Sequence, residues 1–279
     1  MNDNERAKRY EKYYTKPHVA RMCLDLIEPF IDSDTLLIEP SAGAGVFINE
    51  TDRPIIGFDI APDDDHLIIP RDFLTLPVKR AKKVAFIGNP PFGDYKALAA
   101  EFVNRCLTIG GTVGFILPIT FRKWMAQNMI DRNARLILDV DLPENGFTKC
   151  GKDYKLRSAF QVWTLRKRWP DLRLKVNPTS IHKDFTMLRT KKYENAKAFY
   201  HSWDFAVVRT GEMNFSEKLW SPAELISNLE YILINAVAPD AMRRLLMIDY
   251  EALSRRSAVI RTITQCDIVE AYEAIKLAA

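Results

Sequence analysis

Cysteine is scarce in this chain, and its four thiols, Cys23, Cys106, Cys150 and Cys266, stand far apart with no C-x-x-C pair. Such spacing excludes a disulfide framework and a cysteine-built zinc module. It reads as reduced, mostly buried thiols in a cytoplasmic protein. Histidine is equally sparse, with four residues and no metal-ligand spacing, so no metal is expected. No apolar run approaches the ~20 residues of a membrane span, and the opening "MNDNERAKRYEKYY" is too polar for a signal peptide. Internal repeats, low-complexity segments and a G-x-G-x-x-G dinucleotide fingerprint are all missing.

What is present suits one large domain with a smaller appendage: 279 residues, 47% of them hydrophobic. The net charge is only +4, but residues 149–175 hold nine Lys/Arg against two Asp/Glu. Clustering of that kind is the footprint expected of phosphate contacts, or else a solvated hairpin face. "VARMCLDLIEPFI" and "KALAAEFVNRCLTI" carry helical periodicity. "TLLIEP", "PIIGFDI", "KVAFIGNP", "GTVGFILP", "ARLILDVDLP" and "SAFQVWTL" read as strands. Strand and helix in alternation predict an α/β, Rossmann-like, mostly parallel sheet with helices on both faces. The last two strands, joined by a polar segment, predict an antiparallel hairpin at one edge. We place this α/β domain at residues 1–170. Residues 171–279 read as a small mixed and then helical module, with "SPAELISNLEYILINAV", "DAMRRLLMIDYEALS" and "CDIVEAYEAIKLA" as helices.

Two stretches at strand ends carry the chemistry. "EPSAGAGVF" follows a predicted strand, where open α/β sheets bind ligands. Gly43 and Gly45 let the backbone approach a ligand closely. Glu39 at the strand end would repel a pyrophosphate but suits a cationic or amine-bearing ligand. Asp59 ends the next strand, placed to accept from ribose hydroxyls. Asp72 and Phe73 offer a carboxylate for an exocyclic amine and a ring for stacking. An amino acid joined to adenosine meets all three demands, and S-adenosyl-L-methionine is that ligand. The second stretch, "FIGNPPFGDY", runs a hydrophobic strand into an amide, two prolines and a ring. Its prolines make a stiff, non-helical loop, either to hold reactive groups ready or merely as a strand exit.

"EPSAGAGVF", "GFDI", "RDFL" and "NPPF", in that order, resemble the amino-group DNA methyltransferases, particularly the adenine-N6 enzymes. "YYTKP" matches the segment that these enzymes carry ahead of the glycine loop, an order like the gamma arrangement. The resemblance spans residues 13 to about 165 and implies a class I methyltransferase fold with a seven-stranded sheet. It implies cofactor contacts at Tyr14, Thr15, Lys16, Pro17, Glu39, Pro40, Ser41, Ala42, Gly43, Gly45, Asp59, Ile60, Asp72, Phe73 and Asn89. Catalysis would fall to Asn89, Pro90, Pro91 and Phe92. The side-chain oxygen of Asn89 and the Pro90 carbonyl would accept the two N6 hydrogens, Pro91 would hold the turn, and Phe92 would stack on the base. A duplex base must be flipped out or unpaired to reach such a loop.

Phe147 resembles the family's second stacking ring and is expected in a surface loop. Arg122, Lys123 and Trp124, with Lys152, Lys155 and Arg157, are the expected nucleic-acid contacts. Lys155 and Arg157 are expected to share one strand face. The partner implied is DNA; the same loop also occurs in enzymes that methylate RNA and in those that methylate glutamine in release factors. Cytosine N4 as target, and a cofactor-binding protein without catalysis, stay open as well. So do a partner subunit and a homodimer.

Overall fold

A computed structural model describes residues 13–63, 67–77, 79–92, 97–190, 203–226, 228–257 and 260–278. The end of the proline loop, residues 93–96, and the expected start of the following helix at Lys96 lie outside them. The chain divides into two compact units, Met1–Lys175 and Val176–Ala279.

In the first unit the predicted strands form β2 (Leu36–Glu39), β3 (Ile55–Asp59), β5 (Val84–Gly88), β6 (Thr112–Pro118), β7 (Arg135–Asp141) and β10 (Ser158–Thr164). One further strand, β4 (Ile68–Pro70), went unread in the sequence because it is only three residues long and half exposed. The sheet order is β4-β3-β2-β5-β6-β10-β7. β2 through β6 run parallel, while β10 lies antiparallel to both β6 and β7. The molecule therefore has the Rossmann-like class I methyltransferase fold, with its antiparallel pair at the β7 edge. The central strands are buried on both faces, which is why they read as continuous apolar runs rather than alternating ones.

Helices cover the two faces. Pro17–Ile27 starts with proline in its first turn, where the missing N–H costs nothing, and buries Val19, Ala20, Cys23, Leu24 and Ile27 along one stripe. These pack with Phe47, Ile87, Ile116, Phe147 and Phe160. On the other face Ala97–Ile109 buries Phe102, Val103 and Cys106 against Phe86, Phe115 and Trp163. Of the thiols, Cys23 and Cys106 are buried, and burial pushes both well above the ordinary thiol range. Cys150 departs from the expectation: it is exposed, at a turn with φ 51°.

A second small sheet has the order β1-β8-β9, built from β1 (Tyr14–Thr15), β8 (Phe147–Lys149) and β9 (Lys152–Tyr154). Tyr14 pairs with Thr148 and Thr15 with Phe147, so the "YYTKP" segment is tied to the β7–β10 connection. Gly146 is needed here. A Cβ at that position would sit 2.6 Å from Val19 Cγ2, so only glycine lets this connection lie on the Pro17–Ile27 helix.

The second unit is a three-stranded antiparallel sheet, β11 (Phe185–Thr190), β13 (Tyr231–Ala236) and β12 (Phe205–Val208), with β13 in the middle. Helices Ala241–Leu246, Tyr250–Ser254 and Gln265–Ala278 follow. The helix expected over 221–237 is corrected: among its described residues only Pro222–Glu224 is helical, in one 3-10 turn, and "YILINA" is the central strand. Its four consecutive buried residues, Tyr231, Ile232, Leu233 and Ile234, show why. A strand covered on both faces loses its alternation and cannot be told from a helix by periodicity.

Candidate functional site

The strand order reverses at β2: the chain moves outward through β3 and β4, then returns to lay β5 on β2's other side. Loops leaving β2 and β5 therefore part to opposite sides and open a crevice at their carboxyl ends. β2 ends at Glu39 and β5 runs into Asn89, so both sequence stretches converge there.

A cavity of about 820 Å³ occupies this crevice. Of the expected cofactor residues, Tyr14, Thr15, Pro17, Glu39, Pro40, Ser41, Ala42, Gly43, Asp59, Ile60, Asp72, Phe73 and Asn89 line it, as do Pro90 and Pro91. Two do not. Lys16 turns away to pair with Asp153 at 2.8 Å. Gly45, at φ 75°, supplies the left-handed turn from which Val46–Asn49 becomes helical. Lining residues outside the expected set include Tyr13, Phe47 and Leu74, which the quoted motifs contain without assigning them a contact, and Glu50, Leu98 and Phe102, which lie outside those motifs. Most are ordinary core types whose place is set by packing.

The electrostatics of the lining are one-sided. Glu39, Glu50, Asp59 and Asp72 face the cavity, and among the described residues no Lys, Arg or His lines it. Glu50 is offset by an ion pair with Arg21. Asp59 is 7% exposed and accepts the Gly43 N–H and the Ala61 N–H, each at 2.8 Å. Its carboxylate thus holds the glycine loop in place. Asp72 accepts from Leu74 N at 3.0 Å, starting the turn at Phe73–Thr75. Phe73 is 2% exposed and packs on Phe58 and Phe86, so only part of its ring meets the cavity. Glu39 is also 2% exposed, and its Oε2 has no hydrogen-bond partner. Burial, with the Asp59 charge adding to it, pushes the Glu39 carboxyl well above the usual carboxylate range. A buried acid with an orphaned oxygen fits an amine or sulfonium. A phosphate-bearing cofactor would meet uncompensated repulsion. S-adenosyl-L-methionine, with its two cationic centres and its ribose hydroxyls, fits this donor set. Glu39, Asp59, Asp72 and the Gly43 loop are the groups that would hold it.

The Asn89 amide has a defined orientation. Its Nδ2 donates to the Tyr13 carbonyl at 3.0 Å and to Thr15 Oγ1 at 3.2 Å. A carbonyl only accepts, so the nitrogen must be on that side, and Oδ1 points the other way. No described residue donates to Oδ1 or to the Pro90 carbonyl. Beside them, Phe92 stacks on Tyr13 with ring centroids 6.1 Å apart, and Tyr154 lies 5.1 Å from Tyr13. Lys149 Nζ stands 4.4 Å over the Tyr13 ring and donates to its hydroxyl.

Several expected nucleic-acid contacts are corrected. Phe147 is fully buried on β8, packed among Val19, Leu142, Leu156 and Phe160, and is a core residue rather than a loop ring. The β1 pairing turns its side chain inward, a long-range constraint invisible in "ENGFTK". Arg122 is taken up by Asp139 at 2.7 and 2.9 Å and by Asp141 at 2.7 Å. Lys123 and Trp124 are half-buried at the start of the short helix Trp124–Gln127, and Lys123 has a partner of its own. Lys155 and Arg157 share no strand face, because residues 155–157 form a link between β9 and β10. Lys155 and Lys152 are exposed; Arg157 is half-buried and partnered. The basic stretch is also split: Ser158 pairs with Pro118 at the carboxyl end of β6, and Thr164 with Thr112 at the far end. Arg166, Lys167 and Arg168 therefore lie roughly 20 Å from Lys155, at the end of the sheet away from the cavity.

A scan against protein-family models gives no match, and neither does a search of the curated proteins. Among solved structures, the 23S rRNA methyltransferase ErmE is similar over 94% of this chain and 98% of its own, at 14% identity and TM-score 0.39. A modification subunit assigned to a type I restriction enzyme of Vibrio vulnificus YJ016 is similar over 55% of this chain, at 15% identity and TM-score 0.39. The type I methyltransferase subunit of Streptococcus thermophilus is similar over 79%, at 11% identity and TM-score 0.36. The chain spans 45% and 55% of the length of those two subunits.

Proposed function

We propose that this protein transfers a methyl group from S-adenosyl-L-methionine to the exocyclic N6 amine of adenine in DNA. The observation that carries this reading is one juxtaposition. Among the described residues, an anionic cavity lined by no basic side chain lies directly beside an asparagine whose side-chain oxygen has no donor. Bound in the cavity, the cofactor would supply an electrophilic methyl group on a sulfonium.

The chain's own residues address the other reactant. An adenine amine is a weak nucleophile because its lone pair is delocalised into the ring. Asn89 Oδ1 and the Pro90 carbonyl each accept one N6 hydrogen, which draws density onto nitrogen as it becomes tetrahedral. These acceptors stand where positive charge develops, and they are fixed before the substrate arrives. The surplus proton leaves to water after transfer, so no strong base is needed. Phe92, Tyr13 and Tyr154 supply the ring faces for the flipped base, in place of the buried Phe147. Lys152 and Lys155, exposed at the cavity end of the sheet, are the phosphate contacts that remain. The second unit serves as the recognition module.

The test is transfer of labelled methyl from S-adenosyl-L-methionine to single- and double-stranded DNA, to RNA and to protein in parallel, with nucleoside analysis of the product. N6-methyladenine in DNA is expected. The same product in RNA alone would move the substrate class while keeping the chemistry, and label on protein or nowhere would overturn it. Asn89→Ala should abolish transfer while cofactor affinity stays within about tenfold, since the residue acts mainly on the base.

A further inference from the structure

We infer that Thr15 is a positioning residue for the Asn89 amide: its hydroxyl and the Tyr13 carbonyl together turn the amide so that Oδ1 is the atom presented to the target amine. The inference rests on the methyl-transfer reading and gives the "YYT" segment a task at the amine as well as at the cofactor.

A free asparagine amide has two orientations of nearly equal energy. Only one of them offers an acceptor to an amine; the other would point an NH₂ at the incoming N6 hydrogens. The structure breaks the degeneracy with the acceptor-only Tyr13 carbonyl, and the Thr15 hydroxyl holds the amide in the orientation so chosen. The Tyr13 carbonyl lies 3.0 Å and Thr15 Oγ1 3.2 Å from Nδ2, one for each amide proton. Flipping would set the amide oxygen against the Tyr13 carbonyl, which can only accept. The Thr15 hydroxyl, which can accept or donate, takes the second amide proton in the orientation that the carbonyl selects.

The acceptors are themselves held. Tyr14 and Thr15 form β1, which pairs with Thr148 and Phe147 of β8, and Lys16 N donates to Gly146 O at 2.9 Å. Thr15 is 7% exposed, so water does not compete freely for its hydroxyl. Immediately beside it, Tyr14 donates to Asp63 Oδ2 at 2.7 Å, and Asp63 N donates to Gly43 O at 3.1 Å. One short strand thus fixes the amide and also braces the glycine loop. Nothing in the local sequence joins residue 15 to residue 89; the small sheet does so across 74 positions.

Thr15→Val keeps the shape and removes the acceptor; Thr15→Ser keeps the acceptor. Loss of one neutral hydrogen bond in the transition state should lower kcat about tenfold in Thr15→Val, with KM for nucleic acid and cofactor affinity within about threefold. Thr15→Ser should restore kcat to within about threefold of wild type. The Asn89 side-chain amide, observed by ¹⁵N NMR, gives a readout independent of turnover. In the wild type both protons should resonate downfield and exchange slowly, and in Thr15→Val one of them should move upfield. Unaltered kcat in Thr15→Val, alongside an inactive Asn89→Ala, would overturn the positioning role while leaving the chemistry standing. Absence of transfer by the wild type would instead sink the methyl-transfer reading, and the NMR signals would still decide the orientation. If Thr15→Val does not fold, the wild-type protons suffice: random-coil shifts and fast exchange would refute the claim.

Discussion

Replacing Glu39 with glutamine separates what the cavity costs the empty protein from what it gains on binding. Glu39 is 2% exposed, its Oε2 has no partner, and burial holds its carboxyl well above the ordinary range. The folded chain therefore retains a proton that the unfolded chain has already lost. Stability of the ligand-free protein should fall as pH rises from the usual glutamate value, ~4.3, and level off above the raised folded value. Glu39→Gln, uncharged at every pH, should abolish that decline and melt at a higher temperature than wild type at pH 8. Binding of a cationic ligand should reverse the preference, because only the ionised carboxylate pairs with an amine or sulfonium. Wild-type affinity for S-adenosyl-L-methionine should then tighten as pH rises, with uptake of the ligand releasing a proton. A hydrogen bond to a charged group contributes about 1.5–3 kcal/mol, so Glu39→Gln should bind roughly 10- to 150-fold more weakly at pH 8. At pH 6 the gap should narrow, since wild type must first expel the proton. Calorimetry in two buffers of different ionisation enthalpy measures both affinity and proton release. A wild-type dissociation constant flat from pH 6 to 9 without proton release, or equal affinities at pH 8, would refute the reasoning.

Asp59→Ala removes a carboxylate that two backbone donors share; it should cost about 2–3 kcal/mol of stability and at least tenfold in cofactor affinity, and unchanged thermal and calorimetric curves would remove Asp59 from the site. Phe147→Ala should destabilise the protein by about 3–5 kcal/mol, the cost of emptying a fully buried ring site; a stable variant with impaired base binding would restore Phe147 to the substrate surface. The double substitution Lys152→Ala with Lys155→Ala removes two exposed charges at the cavity end; it should flatten the log–log salt slope of duplex DNA binding by roughly 1.8, or of single-strand binding by roughly 1.4. An unaltered slope would assign phosphate contacts to other residues.

The sheet and the crevice were legible in the sequence because their determinants are local. Each buried strand is a short apolar run, and "EPSAGAGVF" and "NPPF" sit where those runs stop. Strand ends at a switch point converge whatever the loops contain, so Glu39, Asp59, Asp72 and Asn89 met in one cavity as their order implied. Side-chain direction was not legible, because distant chain decides it. Phe147 looks like a loop ring until β1 pairs with β8 and turns it onto the Pro17–Ile27 helix. Arg122 looks like a phosphate contact until Asp139 and Asp141 arrive from a neighbouring strand. The basic stretch is continuous along the chain but is divided in space by the length of β10. "YILINA" is helix or strand by its pattern, and two flanking strands choose strand. Most consequential is the Asn89 amide. Its residue type declares an acceptor and a donor, but which of the two is left unbonded is set by a carbonyl brought in from residue 13, with the hydroxyl of residue 15 beside it. Sequence chose the groups, and long-range hydrogen bonds, available only once the sheets had formed, chose the atoms that they present.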